Sequence, residues 1–358
     1  MAGVSAERIR DDLSRLADRG RGVRDFSLEA ARIIRRAVPF DGVCVLTLDP
    51  VARVPTGEVV EGGLPDAART RMAEIEFAGT DVNTFAGLVE SRCPAATLSE
   101  ATGGELDRSV RQREVRAPSG FGDELRAVLV EGSTPWGALT LLRTCERQPF
   151  TADETALVAS ATKPLAAGLR RALLGPAPMA TGADQRASSG VAVLAADGTV
   201  ARADHWAERW LAELDGHGPG GGLSRVVTAL ARRARTCDPD APPPTEARVR
   251  TASGTWLVVR ASALGRTPDA EVAVVLEPAR SWQLAPLMAD AYELTERERV
   301  ITEHVAHGLA TDDIAARELI SPFTVQDHLK SIFQKVGVRS RGELVARIFF
   351  EPDPPRLT

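Results

Sequence analysis

The sequence predicts a multidomain α+β chain that ends in an all-α segment. Three observations carry this. The length, 358 residues, suits two or three domains rather than one. Two groups of short apolar runs, before and after a Gly/Pro/Ala/Ser stretch at 175–189, read as two separate sets of strands. From Leu294 onward no strand pattern remains, and helix-start and helix-stop residues recur instead.

Along the chain, Ser5 to Arg19 forms a helix with Ile9, Leu13 and Leu16 on one side, too short a stripe for a supercoil. Ser27 is read as the cap of a second helix, with Ala30, Ile33 and Ile34 inward. Val43 to Leu48 is a buried strand ending in a turn at Asp49-Pro50. Apolar runs follow at 96–98, 125–130 and 136–142, the last two joined by a Gly132-Ser133-Thr134-Pro135 turn. Thr151 and Glu154 form a capping box opening a helix through Leu157, Leu165, Leu169 and Leu173. That leucine stripe predicts a dimer contact in this half.

After the linker, 191–194 and 199–203 form a hairpin around Asp197-Gly198. Asp204 caps a helix whose Trp206 and Trp210 point into a core. Strands at 246–250, 256–261 and 271–276 close this part. In the C-terminal segment, Thr295 and Glu298 are a capping box and Gly308 ends the helix left-handed. Thr311 is read as the cap of the next helix, and Ser321-Pro322 opens a third. On that third helix Val325, Leu329, Ile332 and Val336 form one buried stripe. Gln326, Asp327, Lys330 and Gln334 fall on another face, with Thr324, His328, Ser331 and Lys335 between. Amide and ammonium tips on a short exposed face suit base-edge reading in a major groove. The chain has three lysines, and two of them, Lys330 and Lys335, are in this helix. Periodicity alone fits an ordinary solvated face equally well.

Leu294-Thr295-Glu296-Arg297-Glu298, Gly308-Leu309, Asp313-Ile314-Ala315, Thr324-Val325, His328 and 332–338 resemble the LuxR-type (GerE-like) helix-turn-helix. The resemblance implies a four-helix domain that binds double-stranded DNA as a homodimer, with 341–349 as the fourth helix. Thr311, Ser321, Thr324, Gln326, Asp327, His328, Lys330, Ser331, Gln334 and Lys335 are then the candidate DNA-contacting residues. RNA polymerase is a further candidate partner. Gln326, where many members carry lysine, and Asp327, whose charge repels phosphate, depart from the pattern. The order of elements over 24–174, with Pro94 to Gly104, 123–129 and Trp136-Gly137-Ala138-Leu139, resembles a GAF-like α/β sandwich. It is similar to the sensor half of actinobacterial LuxR-type regulators, and implies a small-molecule pocket between sheet and helices. The inward residues of 43–48 and 136–142 are expected to line it, with Trp136 as its large wall. Residues 190–280 resemble a PAS-like α+β domain. The expected organisation is an N-terminal helix (1–23), the GAF-like domain (24–174), linker (175–189), PAS-like domain (190–280), linker (281–290), DNA-binding domain (291–350) and tail (351–358).

Composition bounds the rest. Net charge is −5 and pI about 5.7, and residues 290–350 carry ten acidic against eight basic side chains. DNA binding must therefore use a local patch, Lys330, Lys335, Arg339 and Arg341, together with helix N-termini. No apolar run approaches the ~18 residues of a membrane span, and 1–18 has no apolar signal core. Cys44, Cys93, Cys145 and Cys237 lie far apart, which points to a reduced cytoplasmic protein. Cys44 and Cys145 are expected buried, Cys93 exposed. The five histidines show no zinc spacing with these cysteines. His217 to Gly222 resembles an oxyanion loop, but no G-x-S-x-G elbow, P-loop or dinucleotide fingerprint accompanies it. The expectation is no catalytic residue, no metal, no cofactor and no enzyme. The reading is a transcription regulator. Its rival is a sensor or dimerisation protein whose C-terminal domain binds a protein partner instead of DNA.

Overall fold

A computed structural model describes residues 6–175, 188–215, 224–236, 245–267 and 269–350. Most of the predicted 175–189 linker, the His217–Gly222 loop, Cys237 and the 351–358 tail lie outside the described residues. The chain divides into two compact units, Met1–Pro278 and Ala279–Thr358. Among the described residues no helix is long and apolar enough to cross a membrane.

The first unit holds two five-stranded antiparallel sheets. The first contains β1 (Gly42–Asp49), β2 (Val54–Glu61), β3 (Ala95–Thr97), β4 (Phe121–Glu131) and β5 (Thr134–Thr144), in the order β2-β1-β5-β4-β3. The second contains β6 (Gly190–Leu194), β7 (Val200–Ala203), β8 (Glu246–Arg250), β9 (Trp256–Ala263) and β10 (Val272–Pro278), ordered β7-β6-β10-β9-β8. Counted within each sheet, both orders are 2-1-5-4-3.

Strand alternation splits the first sheet into two covered faces, which is why β1 reads as a continuous apolar run. Val43 and Val45, Leu125 and Leu129, and Leu139 and Leu141 point to one side. There they meet α1 (Ala6–Ala17), α2 (Val23–Arg35) and α6 (Ala152–Leu174), through Ile9 and Leu13, Phe26 and Ile34, and Leu165 and Leu169. The other face lies under α3 (Asp66–Ala78) and α4 (Phe85–Glu90), with the short α5 (Leu98–Ala101) following β3. This is an α/β sandwich, the layering the sequence reading expects of this segment. The leucine stripe of α6 is covered by α1, α2 and the sheet of its own chain, so it gives no reason for a dimer contact. Ser27 is a buried residue inside α2, whose N-cap is Gly22. The apolar phase of this helix begins with Val23 and Phe26, one turn earlier than the capping signal suggested. β2 was not legible in the sequence because Pro55 and Gly57 interrupt it. It is an edge strand, where a missing ladder donor is tolerated.

The second sheet packs one face against α7 (His205–Asp215) and α8 (Arg225–Thr236). Trp210 is fully buried in that core, and Trp206 stacks on it at 6.0 Å. Asp204 accepts the Ala207 N–H at 2.8 Å, so it opens α7 as its sequence position predicts. The two sheets' cores meet at the β1–β2 turn. Ala52 and Val54 belong to the second core, and buried Asp49 accepts the Arg248 N–H at 2.6 Å.

The second unit packs α9 (Ala285–Ala291), α10 (Glu296–Ala306), α11 (Thr311–Glu318), α12 (Pro322–Val336) and α13 (Arg341–Val345) around one core. Residues 281–290 are not a linker: a helical turn at Ser281–Leu284 leads into α9, and Ala285, Met288 and Ala289 join that core. Pro286 at the helix start and the i, i+3, i+4 apolar spacing explain this.

Candidate nucleic-acid interface and sensor cavity

In the second unit, α11 ends at Leu319 in the left-handed conformation (φ 54°), and a short turn leads into α12. Ser321 caps α12 by accepting the Thr324 N–H at 3.1 Å, Pro322 occupies the first turn, and Gly337 closes it left-handed. Val325, Leu329, Ile332 and Val336 are buried in the core. That anchoring leaves Phe323, Gln326, Asp327, Lys330 and Gln334 exposed, spaced so that they share one face.

The other candidate residues are engaged within the chain. The Ser321 and Thr324 hydroxyls bond each other at 2.9 Å, and His328 is half-buried. Thr311 does not cap α11; the N-cap is Ala310, and the Thr311 hydroxyl accepts from Arg341 at 2.8 Å. Arg341 also bonds the Leu309 carbonyl, so it is a brace and adds little to a free positive patch. Ser331 and Lys335 both reach back to α10: their side chains bond the two carboxylate oxygens of Glu298 at 2.7 Å each. Lys335 also donates to the Glu293 carbonyl at 2.9 Å. Apart from Lys335, whose ammonium is bonded within the chain, the exposed cations nearest in sequence to this face are Arg317, Lys330 and Arg339.

Burial pushes the Glu298 carboxyl up, but hydrogen bonds from Lys335, the Thr295 N–H and Ser331 outweigh it and hold the group below its ordinary value of 4.5. The folded carboxyl is the stronger acid. Its pairing therefore stabilises the unit above pH 4.5, and this is lost as pH falls through the folded value. Lys335→Ala is expected to cost the C-terminal unit about 1–3 kcal/mol, because Glu298 is left buried with a lost charged donor. Urea unfolding at neutral pH checks this, and the gap to the parent should close in acid. Unchanged stability would mean the bridge is idle.

By spacing, Leu319 should face inward with Ile314 and Ala315, but only those two are buried: Leu319 is the left-handed C-cap that leaves the helical stripe and is 92 % exposed, and Phe323, which the sequence reading did not single out, is 71 % exposed.

In the first unit, a cavity of about 830 Å³ opens over the first sheet. Cys44, Leu46 and Leu48 of β1 and Thr140 and Leu142 of β5 form its floor, on the face opposite the α1/α2/α6 core. Trp136, expected as its large wall, is buried and does not line it; Pro135 does. A register shift between Leu129 and Val130 in the β4–β5 pairing breaks the alternation there. Cys44 is half-buried on the cavity wall and Cys93 is also half-buried, while Cys145 is exposed rather than buried.

Beneath the cavity lies a charge cluster that sequence reading did not find. The Glu124 carboxylate, 1 % exposed, meets Arg111 at 2.6 Å, Arg116 at 2.7 Å and Arg126 at 3.1 Å. Asp81 takes a second contact from Arg111 at 3.0 Å, and Glu76 one from Arg126 at 2.7 Å. Arg126 also lies 4.1 Å over the Phe85 ring. Burial alone raises the Glu124 carboxyl, but Arg111, Arg116 and Arg126 together hold it far below the usual carboxylate range. Burial, with repulsion from Arg126 and Arg111, lowers the Arg116 guanidinium.

A short turn between two helices, the second presenting a polar face, defines a helix-turn-helix protein. The family described as bacterial regulatory proteins, luxR family, matches residues 292–348. The spore germination protein GerE of Bacillus subtilis is 36 % identical over 55 residues, 15 % of this chain and 74 % of GerE. The transcriptional regulatory protein UhpA of Escherichia coli is 43 % identical over 56 residues, 16 % of this chain and 29 % of UhpA. A Mycobacterium bovis protein carrying the name of an HTH-type transcriptional regulator is 41 % identical over 68 residues, 19 % of this chain but 7 % of that protein. Through this segment the chain belongs to the luxR family. Across the N-terminal half, the GAF domain of a Coxiella burnetii phosphoenolpyruvate-protein phosphotransferase superposes with a TM-score of 0.33 at 15 % identity, covering 47 % of this chain and 94 % of that one.

Proposed function

We propose that this chain is a DNA-binding transcriptional regulator, dimeric on its operator, whose N-terminal unit senses a small molecule. The observation that carries it is α12: one face anchored in a core, the other presenting Gln326, Asp327, Lys330 and Gln334. Amide and ammonium tips pair with adenine and guanine edges, and a carboxylate accepts from the cytosine amino group. Phe323 brings an apolar contact for a thymine methyl. Ser331 and Lys335 act as positioning residues that set the helix on its core. Regulation follows from linkage: a ligand that prefers one arrangement of the sensor unit shifts the population that presents two reading heads together.

The test is selection of duplexes from a random pool by the full chain, followed by gel shift at two salt concentrations. The expected winners are inverted repeats with half-sites about one helical turn apart, with affinity falling as salt rises. A pool that never converges would overturn the reading. The exposed pair Leu319 and Phe323 favours a second reading, in which this surface docks a protein partner. Substituting both with serine discriminates: loss of protein partners with unchanged DNA binding supports the rival.

A further inference from the structure

The cavity over the first sheet has a charge pattern that separates its two sides. The sheet side is mainly apolar, interrupted by Thr140 and by Glu58 and Arg126, whose charges are paired, and α3 adds Met72 and Phe77. The opposing wall comes from the second sheet's helix: Arg225, Arg232, Arg233 and Arg235 all lie on α8 and line the cavity. Over the whole lining, seven arginines face three glutamates. Glu58 is paired with Arg225 at 2.5 Å and Glu76 with Arg126 at 2.7 Å, while Arg232 and Arg116 are paired with Glu74 at 2.8 Å and Glu124 at 2.7 Å just outside the lining.

Arg235 is oriented by carbonyls, its Nε donating to Ala270 at 3.0 Å and Nη2 to Ala195 at 2.6 Å. Those bonds align the guanidinium, whose nearby carboxylate, Asp197, is exposed on the β6–β7 turn and spends its hydrogen bonds on Thr199. Arg53 reaches the cavity from the β1–β2 turn, in the left-handed conformation (φ 53°), and among the described residues no carboxylate pairs with it. A cleft lined by one sign of charge and backed by apolar walls concentrates the opposite charge. A volume of this size is in the usual range for a bound organic molecule.

We propose that this cavity binds an organic anion with an apolar body, the body lying on the first sheet and the anionic head held by Arg233 and Arg235 of α8 and by Arg53. This rests on the reading of the N-terminal unit as a sensor, and names the class of its ligand. The two halves of the ligand touch different sheets' domains. Binding therefore ties α8 to the β1–β2 side, and its free energy acts on the arrangement of the two domains rather than inside one of them.

The test titrates the full chain with probes that share a ten-carbon body: decanoate, decyl phosphate, decanol and decyltrimethylammonium, each below its aggregation threshold, by calorimetry and melting temperature. The anions are expected to bind roughly tenfold or more tightly than decanol, the worth of one charge-assisted hydrogen bond, and the cation to leave the melting temperature unchanged. The ratio of decanoate to decyl phosphate tells a singly from a doubly charged head. Arg53→Gln and Arg235→Gln should each erase most of the anion preference and leave decanol affinity unchanged. If Arg235→Gln lowers the melting temperature of the unliganded chain, Arg53→Gln, on the exposed turn, carries the readout. Equal affinity for decanol and decanoate, or preference for the cation, overturns the anionic assignment while leaving a small-molecule sensor standing. Binding of none of the probes overturns the proposal, and the duplex selection reports on DNA binding independently of either result.

Discussion

Glu124→Gln is expected to destabilise the N-terminal unit by about 3–5 kcal/mol, the cost of removing one partner from a buried ion-pair cluster. The carboxylate is the common acceptor for three guanidinium groups, at 2.6, 2.7 and 3.1 Å. Glutamine keeps the shape and removes the charge. Arg111 retains Asp81 and Arg126 retains Glu76, but no second carboxylate contact is seen for Arg116 among the described residues. Like charges then face one another in a medium that screens them poorly. For a unit of this size the loss corresponds to a fall in Tm on the order of 10 °C, measurable by circular dichroism. Arg116→Met should cost less, because it removes one of the repelling cations together with its desolvation. The pH dependence has a definite sign. The folded Glu124 carboxyl is a stronger acid than in the unfolded chain, so the cluster contributes fully above pH 4.5 and fades only as acid approaches the folded value. A Glu124→Gln protein melting within a degree or two of the parent would show that the cluster adds nothing to stability.

Lys330→Ala should weaken binding to the selected duplex by about 1–3 kcal/mol and leave binding to a scrambled duplex nearly unchanged. Lys330 is exposed in the middle of the reading face, one turn from Gln326 and from Gln334, and no intrachain bond is seen for its side chain among the described residues. A base contact by this residue loses a directional bond for the cognate sequence and little elsewhere. Fluorescence anisotropy on both duplexes separates the cases. Equal losses on the two would make Lys330 a phosphate contact, with a salt slope smaller by about one unit. No loss on either would remove α12 from the groove. Lys335→Ala serves as the control. Its ammonium is engaged by Glu298 and Glu293, so its effect should appear in urea unfolding more than in the salt slope.

What the sequence determined by itself is the local grammar of the chain. The capping boxes at Thr151/Glu154 and Thr295/Glu298, the Ser321-Pro322 start of α12 and the left-handed Gly308 all occur where the residues announce them. Each depends on atoms three or four residues apart, so spacing alone specifies it. The buried stripe of α12 and the strands β1, β4, β5, β6, β9 and β10 were readable for the same reason, since periodicity encodes which face is covered. Resemblance then supplied the helix-turn-helix, over a short segment dense in matching residues.

What only the tertiary structure decided is which side chains meet across long separations. Glu124 and the three arginines around it look in sequence like ordinary surface charges; the fold buries them together. Ser331 and Lys335 differ from Lys330 by a rotation of about 100–140° about one helix axis. That rotation is set by how α12 rests on α10, and it turns two candidate contacts toward Glu298. The cationic wall of the cavity belongs to α8 (Arg225–Thr236), far along the chain from both strands that form its floor, β1 (Gly42–Asp49) and β5 (Thr134–Thr144). No local pattern encodes such a meeting. It follows from Asp49, Ala52 and Val54 carrying the β1–β2 turn into the second sheet's core, where burial of those side chains holds the two sheets together.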